Sequence, residues 1–166
     1  MNVGDAAHSH TFAWRDPAAT IAASRERSGI DLLRAIASGE LPTPSMLVLL
    51  DAGIESIEPG RVVFTATPSA AHLNPMGIVH GGYASTLFDS ALGCSITSKL
   101  AVGFGAVTLD LHVRFTRALR ADVGMLRCVG EVVHVGRTVG TAEAKLYDAS
   151  GKLYGHASTS CAIVAL

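Results

Sequence analysis

Charge is scarce in this chain: Asp, Glu, Lys and Arg make up 16% of its 166 residues, and the formal net charge is −1. Lys and Arg are scattered without a basic stripe, which removes the electrostatic case for a nucleic-acid partner. Aromatic residues are sparser still, at 5%. Cysteine is limited to Cys94, Cys128 and Cys161, odd in number, far apart and without metal-ligand spacing, as expected of small core residues in a reducing compartment. No apolar run reaches the length of a membrane span, and the N-terminus shows no positive-then-apolar leader pattern, so a soluble, cytoplasmic protein is expected. The nearest approach to a span, Tyr83–Leu100, is interrupted by Asp89 and by Ser85, Ser90, Ser95 and Ser98, and reads as a core helix. There is also no Gly-x-Ser-x-Gly elbow, no phosphate-binding loop, no dinucleotide fingerprint and no recognisable Cys/His pair.

What is plentiful is apolar surface, at 49% of residues, enough for one domain with a real core and some left for an oligomer interface. Residues 1–16 are polar and mixed. The segment 17–38 carries Ile21, Ile30, Leu32, Leu33 and Ile36 among charges, which predicts an amphipathic helix interrupted at Gly29. Residues 39–44 form a linker, so 1–44 reads as an N-terminal extension and 45–166 as the main domain, opening with a helical turn around Met46–Leu50. Two strand-like runs, 53–58 and 61–67, flank Pro59-Gly60 and predict a hairpin. After the long helix, Val107, Leu109, Leu111, Val113 and Phe115 alternate with polar residues, predicting a strand with one apolar face and placing Thr108 with Asp110 and His112 on the other. Strands at 124–135 and 137–147 meet at Gly136, and a last one follows the turn 148–151 and runs to about Val164. The expected class is α+β: a curled antiparallel sheet wrapped around one long central helix, with an extra N-terminal helix.

The chemistry-bearing stretch is Asn74-Pro-Met-Gly-Ile-Val-His80-Gly81-Gly82, followed by Asp89. A helix that starts on glycines exposes free N–H groups at the positive end of its dipole, which suits an oxyanion, and a sheltered carboxylate supplies a base or nucleophile. Gly81 and Asp89 are eight residues apart, about 12 Å along a helix. Attack on a carbonyl needs its groups within about 3–3.5 Å. The two residues of one chain therefore cannot serve one carbonyl, whereas two antiparallel copies of the helix bring each glycine near the other copy's carboxylate. Thioester hydrolysis fits so small an apparatus, since a thiol leaving group of pKa about 8.5 departs without a strong general acid. Plainer roles also fit these residues: a tight turn for Gly81-Gly82, an interface residue for Asp89, a loop tie for His80, a solvated strand residue for Arg137. His8 and His10 have a metal-like spacing in a tail, and His72, His112, His134 and His156 form no cluster, so all read as surface or core histidines.

The string Asn74…Gly77-Ile-Val-His80-Gly81-Gly82…Asp89, with Val107–Asp110, Val135-Gly136-Arg137 and Asp148…Gly151 at matching distances, resembles the signature of the hotdog-fold thioesterases, specifically their phenylacetic-acid-degradation (PaaI-like) branch. The likeness covers about residues 45–166 and implies a hotdog fold hydrolysing an aryl- or medium-chain acyl-CoA. By resemblance Asp89 is the nucleophile or general base, Gly81 the oxyanion donor from the neighbouring subunit, and Asn74 the holder of the water or the thioester oxygen. His80 orients the loop or bonds near the thioester, Thr108 positions the water, Gly82 contacts substrate, and Val135, Gly136 and Arg137 lie near the coenzyme A arm. The acyl group is expected in a tunnel between two central helices. No metal or resident cofactor is implied, since coenzyme A enters as part of the substrate. The expected assembly is a homo-oligomer, a dimer at minimum and a tetramer by expectation, with no membrane partner. Two alternatives stand beside this: a hotdog hydratase or dehydratase, whose His and distant Asp or Glu are not found here, and a non-catalytic acyl-CoA binding module, against which Asn74, Gly81 and Asp89 speak.

Overall fold

The computed structural model describes residues 8–166. In chain order they form α1 (Ala18–Glu26), α2 (Gly29–Ala37), α3 (Ser45–Leu49), β1 (Ala52–Glu58), β2 (Arg61–Ala66), a 3₁₀ turn (Ala70–His72), α4 (Gly81–Thr97), β3 (Phe104–Phe115), β4 (Leu126–Val135), β5 (Val139–Asp148) and β6 (Leu153–Ala165). All six strands join one antiparallel sheet in the order β1-β2-β4-β5-β6-β3. This is the hotdog arrangement, a curled sheet around α4. The strands after the helix are not simply consecutive neighbours: β4 pairs with β2, and β3 returns to the far edge beside β6.

α4 holds the fold together because its Leu87, Phe88, Ala91, Leu92 and Ile96 are fully buried against Val62, Phe64, Leu126, Cys128 and Leu146 of the sheet. Each such Leu or Phe side chain contributes about 1.5–3 kcal/mol on burial. The helix is not buried all round: Ser85, Thr86, Asp89, Ser90 and Gly93 follow one another along a half-buried face. No helix among the described residues is long and apolar enough to cross a membrane.

Two helices stand where the periodicity predicts one interrupted helix over 17–38. The break falls at Arg27–Ser28, because Ser28 takes an extended conformation and its hydroxyl accepts the Asp31 N–H at 3.3 Å, restarting the helix as its N-cap. Gly29 is the first residue of α2, and its role is close approach. A Cβ there would lie 1.8 Å from the Thr97 carbonyl oxygen, and the Gly29 N–H donates to Leu100 O at 3.0 Å. The start of α2 thus locks onto the end of α4, while Ala35, Ile36 and Leu41 form a small second core with Ile54 of β1.

β3 departs from its expected pattern. Its pairing with β6 shifts between Thr108 and Asp110, opposite Cys161 and Ser160, which leaves Leu109 as a bulge. One extra residue inverts the alternation, so the single apolar face expected over Val107–Phe115 does not exist. Ala106, Leu111 and Val113 pack on the core, whereas Val107 and Leu109 are exposed.

Candidate active site

The loop leading into α4 is tied at nearly every residue. His72 ends a capping box: its Nδ1 accepts the Ser69 N–H at 2.9 Å, and the Ser69 hydroxyl oxygen accepts the Ala71 N–H. The imidazole lies against the Tyr83 ring with centroids 4.6 Å apart, and the His72 carbonyl accepts the His80 N–H at 2.8 Å. Tyr83 in turn donates its hydroxyl to Leu50 O at 2.8 Å, and burial, then the charge of Asp51, pushes its phenol well above the usual range. Asn74 closes the turn: its Oδ1 accepts the Met76 and Ile78 N–H groups at 2.9 and 3.3 Å, and Gly77, at φ +74°, takes the left-handed conformation that the reversal needs.

The first N–H groups of α4 have different fates. His80 caps the helix, its Nδ1 accepting the Gly82 N–H at 2.9 Å and its carbonyl the Tyr83 N–H at 3.0 Å. The Gly81 N–H meets no acceptor among the described residues. It lies at the positive end of a 17-residue helix, and the edge of the Phe115 ring covers its Cα so closely that a Cβ would come within 3.2 Å of Phe115 Cζ. Gly81, Asn74, Phe115 and Arg117 line a cavity of about 330 Å³.

Asp89 lies further along the half-buried face of α4, where the Thr108 hydroxyl donates to its Oδ1 at 2.8 Å. The bulge makes this contact possible by turning Thr108 to the helix side, away from Asp110 and His112, the residues it was expected to accompany. Asp110 is occupied elsewhere, its Oδ1 accepting the Ser160 N–H at 3.1 Å. The Cys161 thiol approaches Thr108 Oγ1 at 3.9 Å. Burial first, and the Asp89 charge second, pushes the Cys94 thiol up to about 12. Cys161 is raised as well, again chiefly by burial.

The expected residues therefore form three separate groups. Asn74, His80, Gly81 and Gly82 gather at the N-terminus of α4, and Asp89 with Thr108 sits about 12 Å along its axis. Val135, Gly136 and Arg137 form the β4–β5 turn near the other end, since Gly140 packs on Ile96, fifteen residues and about 22 Å beyond Gly81. Arg137 is exposed and makes no ion pair among the described residues. Nor do three His, Cys, Asp or Glu side chains gather there in a group able to hold a metal ion. The sequence does not single out two contributors. Phe115 is there only one apolar residue of a strand. His72 belongs to no histidine cluster, and its place in the capping box departs from the usual Glu or Gln at that position.

The family model of the thioesterase superfamily matches residues 76–154. A Halobacterium salinarum protein named as a candidate esterase is 45% identical over 69 residues, 40% of this chain, and the chain spans less than half of that relative, 44%. The crystal structure of a hypothetical thioesterase protein from Streptococcus pneumoniae TIGR4, with coenzyme A, is 30% identical, covering 69% of this chain and 89% of that one at a TM-score of 0.63. The PaaI protein of the E. coli phenylacetic acid degradation operon is 25% identical, covering 82% of this chain and 95% of its own at a TM-score of 0.71.

Proposed function

Since the chain belongs to the thioesterase superfamily, as a PaaI-like hotdog thioesterase, we propose that it hydrolyses an aryl- or medium-chain acyl-CoA to the free acid and coenzyme A in a homodimeric site. The observation that carries this reading is the separation of the two groups on α4: an unpaired Gly81 N–H at the helix start and a Thr108-bound Asp89 about 12 Å away. Two antiparallel α4 helices side by side bring the Gly81 N–H of one chain to the partner's Asp89, giving two equivalent sites. The same pairing carries the partner's Arg137 toward the Gly81 end, where the coenzyme A arm leaves the site. The surface available for it is β3, an edge strand whose Phe104, Val107 and Leu109 are exposed. The assembly beyond the dimer is proposed as a tetramer, and the compartment as the cytoplasm.

In this site the thioester oxygen accepts the Gly81 N–H, which with the helix dipole stabilises the negative charge that develops on it. Asp89 either takes a proton from water as the water oxygen attacks the carbonyl carbon, or attacks first and gives an anhydride that water opens. In both routes a C–O bond forms, the C–S bond breaks, and the thiolate leaves to be protonated as coenzyme A. Thr108 holds the carboxylate, His80 takes the Gly82 N–H and leaves the Gly81 N–H free, and Asn74 shapes the approach. Purified protein with a panel of aryl and aliphatic acyl-CoAs should release thiol with no added metal or nucleotide, and a chelator should change nothing. Activity that disappears on chelation would replace this mechanism with a metal hydrolase.

A further inference from the structure

A second cavity, of about 540 Å³, opens on the other side of the α4 N-terminus, where His80, Gly82 and Thr86 form part of its lining. That volume is within the range of small-molecule sites. Its walls are apolar: Met46 and Leu49 of α3 stand 51% and 40% exposed in it, and Tyr83 is fixed there by its bonds to Leu50 and its contact with His72. Part of the wall comes from the start of the chain, from Phe12 and His10, more than sixty residues before the family match begins. Phe12 is half-buried while Thr11, Ala13 and Trp14 around it are exposed, and its ring stacks on His10 with centroids 4.4 Å apart. A tail residue turned inward against exposed Met and Leu side chains, beside the residues that flank Gly81, has the position of a pocket wall.

We infer that the N-terminal segment carrying His10 and Phe12 walls the acyl pocket and limits the size of acyl group the enzyme accepts, so that specificity is set by residues outside the hotdog core. The inference rests on the thioesterase reading and adds a residue to it. The occupant is the hydrocarbon part of the substrate. It packs on Phe12 and Tyr83, an aryl group in the offset arrangements that aromatic rings favour, while the Met46 thioether adapts to its shape. The thioester end stays at the helix start, on the Gly81 N–H beside His80 and Gly82.

The test compares kcat/KM for hexanoyl-, decanoyl- and phenylacetyl-CoA in the full chain and in Phe12→Ala and Phe12→Trp. Truncation deepens the pocket, so the decanoyl-to-hexanoyl ratio should rise about tenfold in Phe12→Ala, the scale expected when a pocket gains or loses apolar contacts. It should fall in Phe12→Trp. Trp14, the chain's single tryptophan, gives a readout free of turnover. Its emission should shift when the wild type is titrated with a ketone analogue of decanoyl-CoA, in which a methylene separates carbonyl and sulfur. An active wild type with the same ratios in both variants, or variants that change only the oligomeric state, would overturn the inference and leave the thioesterase reading standing. A wild type that hydrolyses none of a broad acyl-CoA panel removes both.

Discussion

The Thr108 hydroxyl donates to Asp89 Oδ1 at 2.8 Å, joining the edge strand to the central helix at the one carboxylate on its half-buried face. An acceptor held by a hydroxyl has a fixed orientation, and orientation is what separates a working base or nucleophile from a nearby charge.

Asp89→Asn keeps the size and removes the charge, so turnover should fall by about 100-fold or more. Thr108→Val removes only the hydroxyl and should lower kcat by about tenfold with little change in KM, while Thr108→Ser keeps most of the rate. Steady-state kinetics on one good substrate checks all three. An Asp89→Asn enzyme as fast as the wild type makes the carboxylate structural.

A site shared between two chains, as proposed, predicts rescue between two inactive proteins. In dimers mixed from Asp89→Ala and Gly81→Pro subunits, one site carries both defects and the other carries neither, the proline having no N–H to donate. Random exchange makes about half of the dimers mixed, each with one intact site of two, so about a quarter of wild-type activity per subunit should return. Each mutant alone, refolded in the same way, is the control. No recovery in dimers shown to be mixed places both groups in one chain.

Gly29→Ala should destabilise the protein without touching the chemistry. The new Cβ meets the Thr97 carbonyl at 1.8 Å, so α2 must move off α4. Such overpacking costs about 1–3 kcal/mol, and each kcal/mol lowers Tm by about 2–4 °C for a chain of this size. A thermal melt checks it, and an unchanged Tm means that α2 is not docked on α4.

The three thiols should be silent in the native protein. Burial raises Cys94, to about 12, and raises Cys128 and Cys161 too. A raised thiol pKa means less thiolate at a given pH. At pH 8 Cys94 should therefore be ionised in only about one part in 10⁴ and react about tenfold faster for each unit that pH rises toward that value. Ellman's reagent at pH 8 should find no fast thiol before denaturation and all three after it. A fast native thiol means that Cys94 is open to solvent and its pKa is well below about 12.

Periodicity and turn chemistry were enough to place the β1–β2 hairpin at Pro59-Gly60, the glycine-led α4 and the β4–β5 turn at Gly136, because each is encoded in a few adjacent residues. The separation of about 12 Å between Gly81 and Asp89 followed from helix rise alone, and with it the proposal of a site built from two chains. Three features had no local encoding. β3 lies beside β6 and not β4, since a strand's partner is chosen by which sheet edge is open. The bulge at Leu109, visible only as a slip against β6, turned Thr108 toward Asp89 and exposed Val107. The docking of α2 on α4 depended on Gly29, where a Cβ would meet a carbonyl 68 residues away in sequence, that of Thr97. Side-chain periodicity reports which face of a strand or helix is apolar. It does not report what stands opposite, and contact with what stands opposite is what orients Asp89 and walls the cavity behind His80.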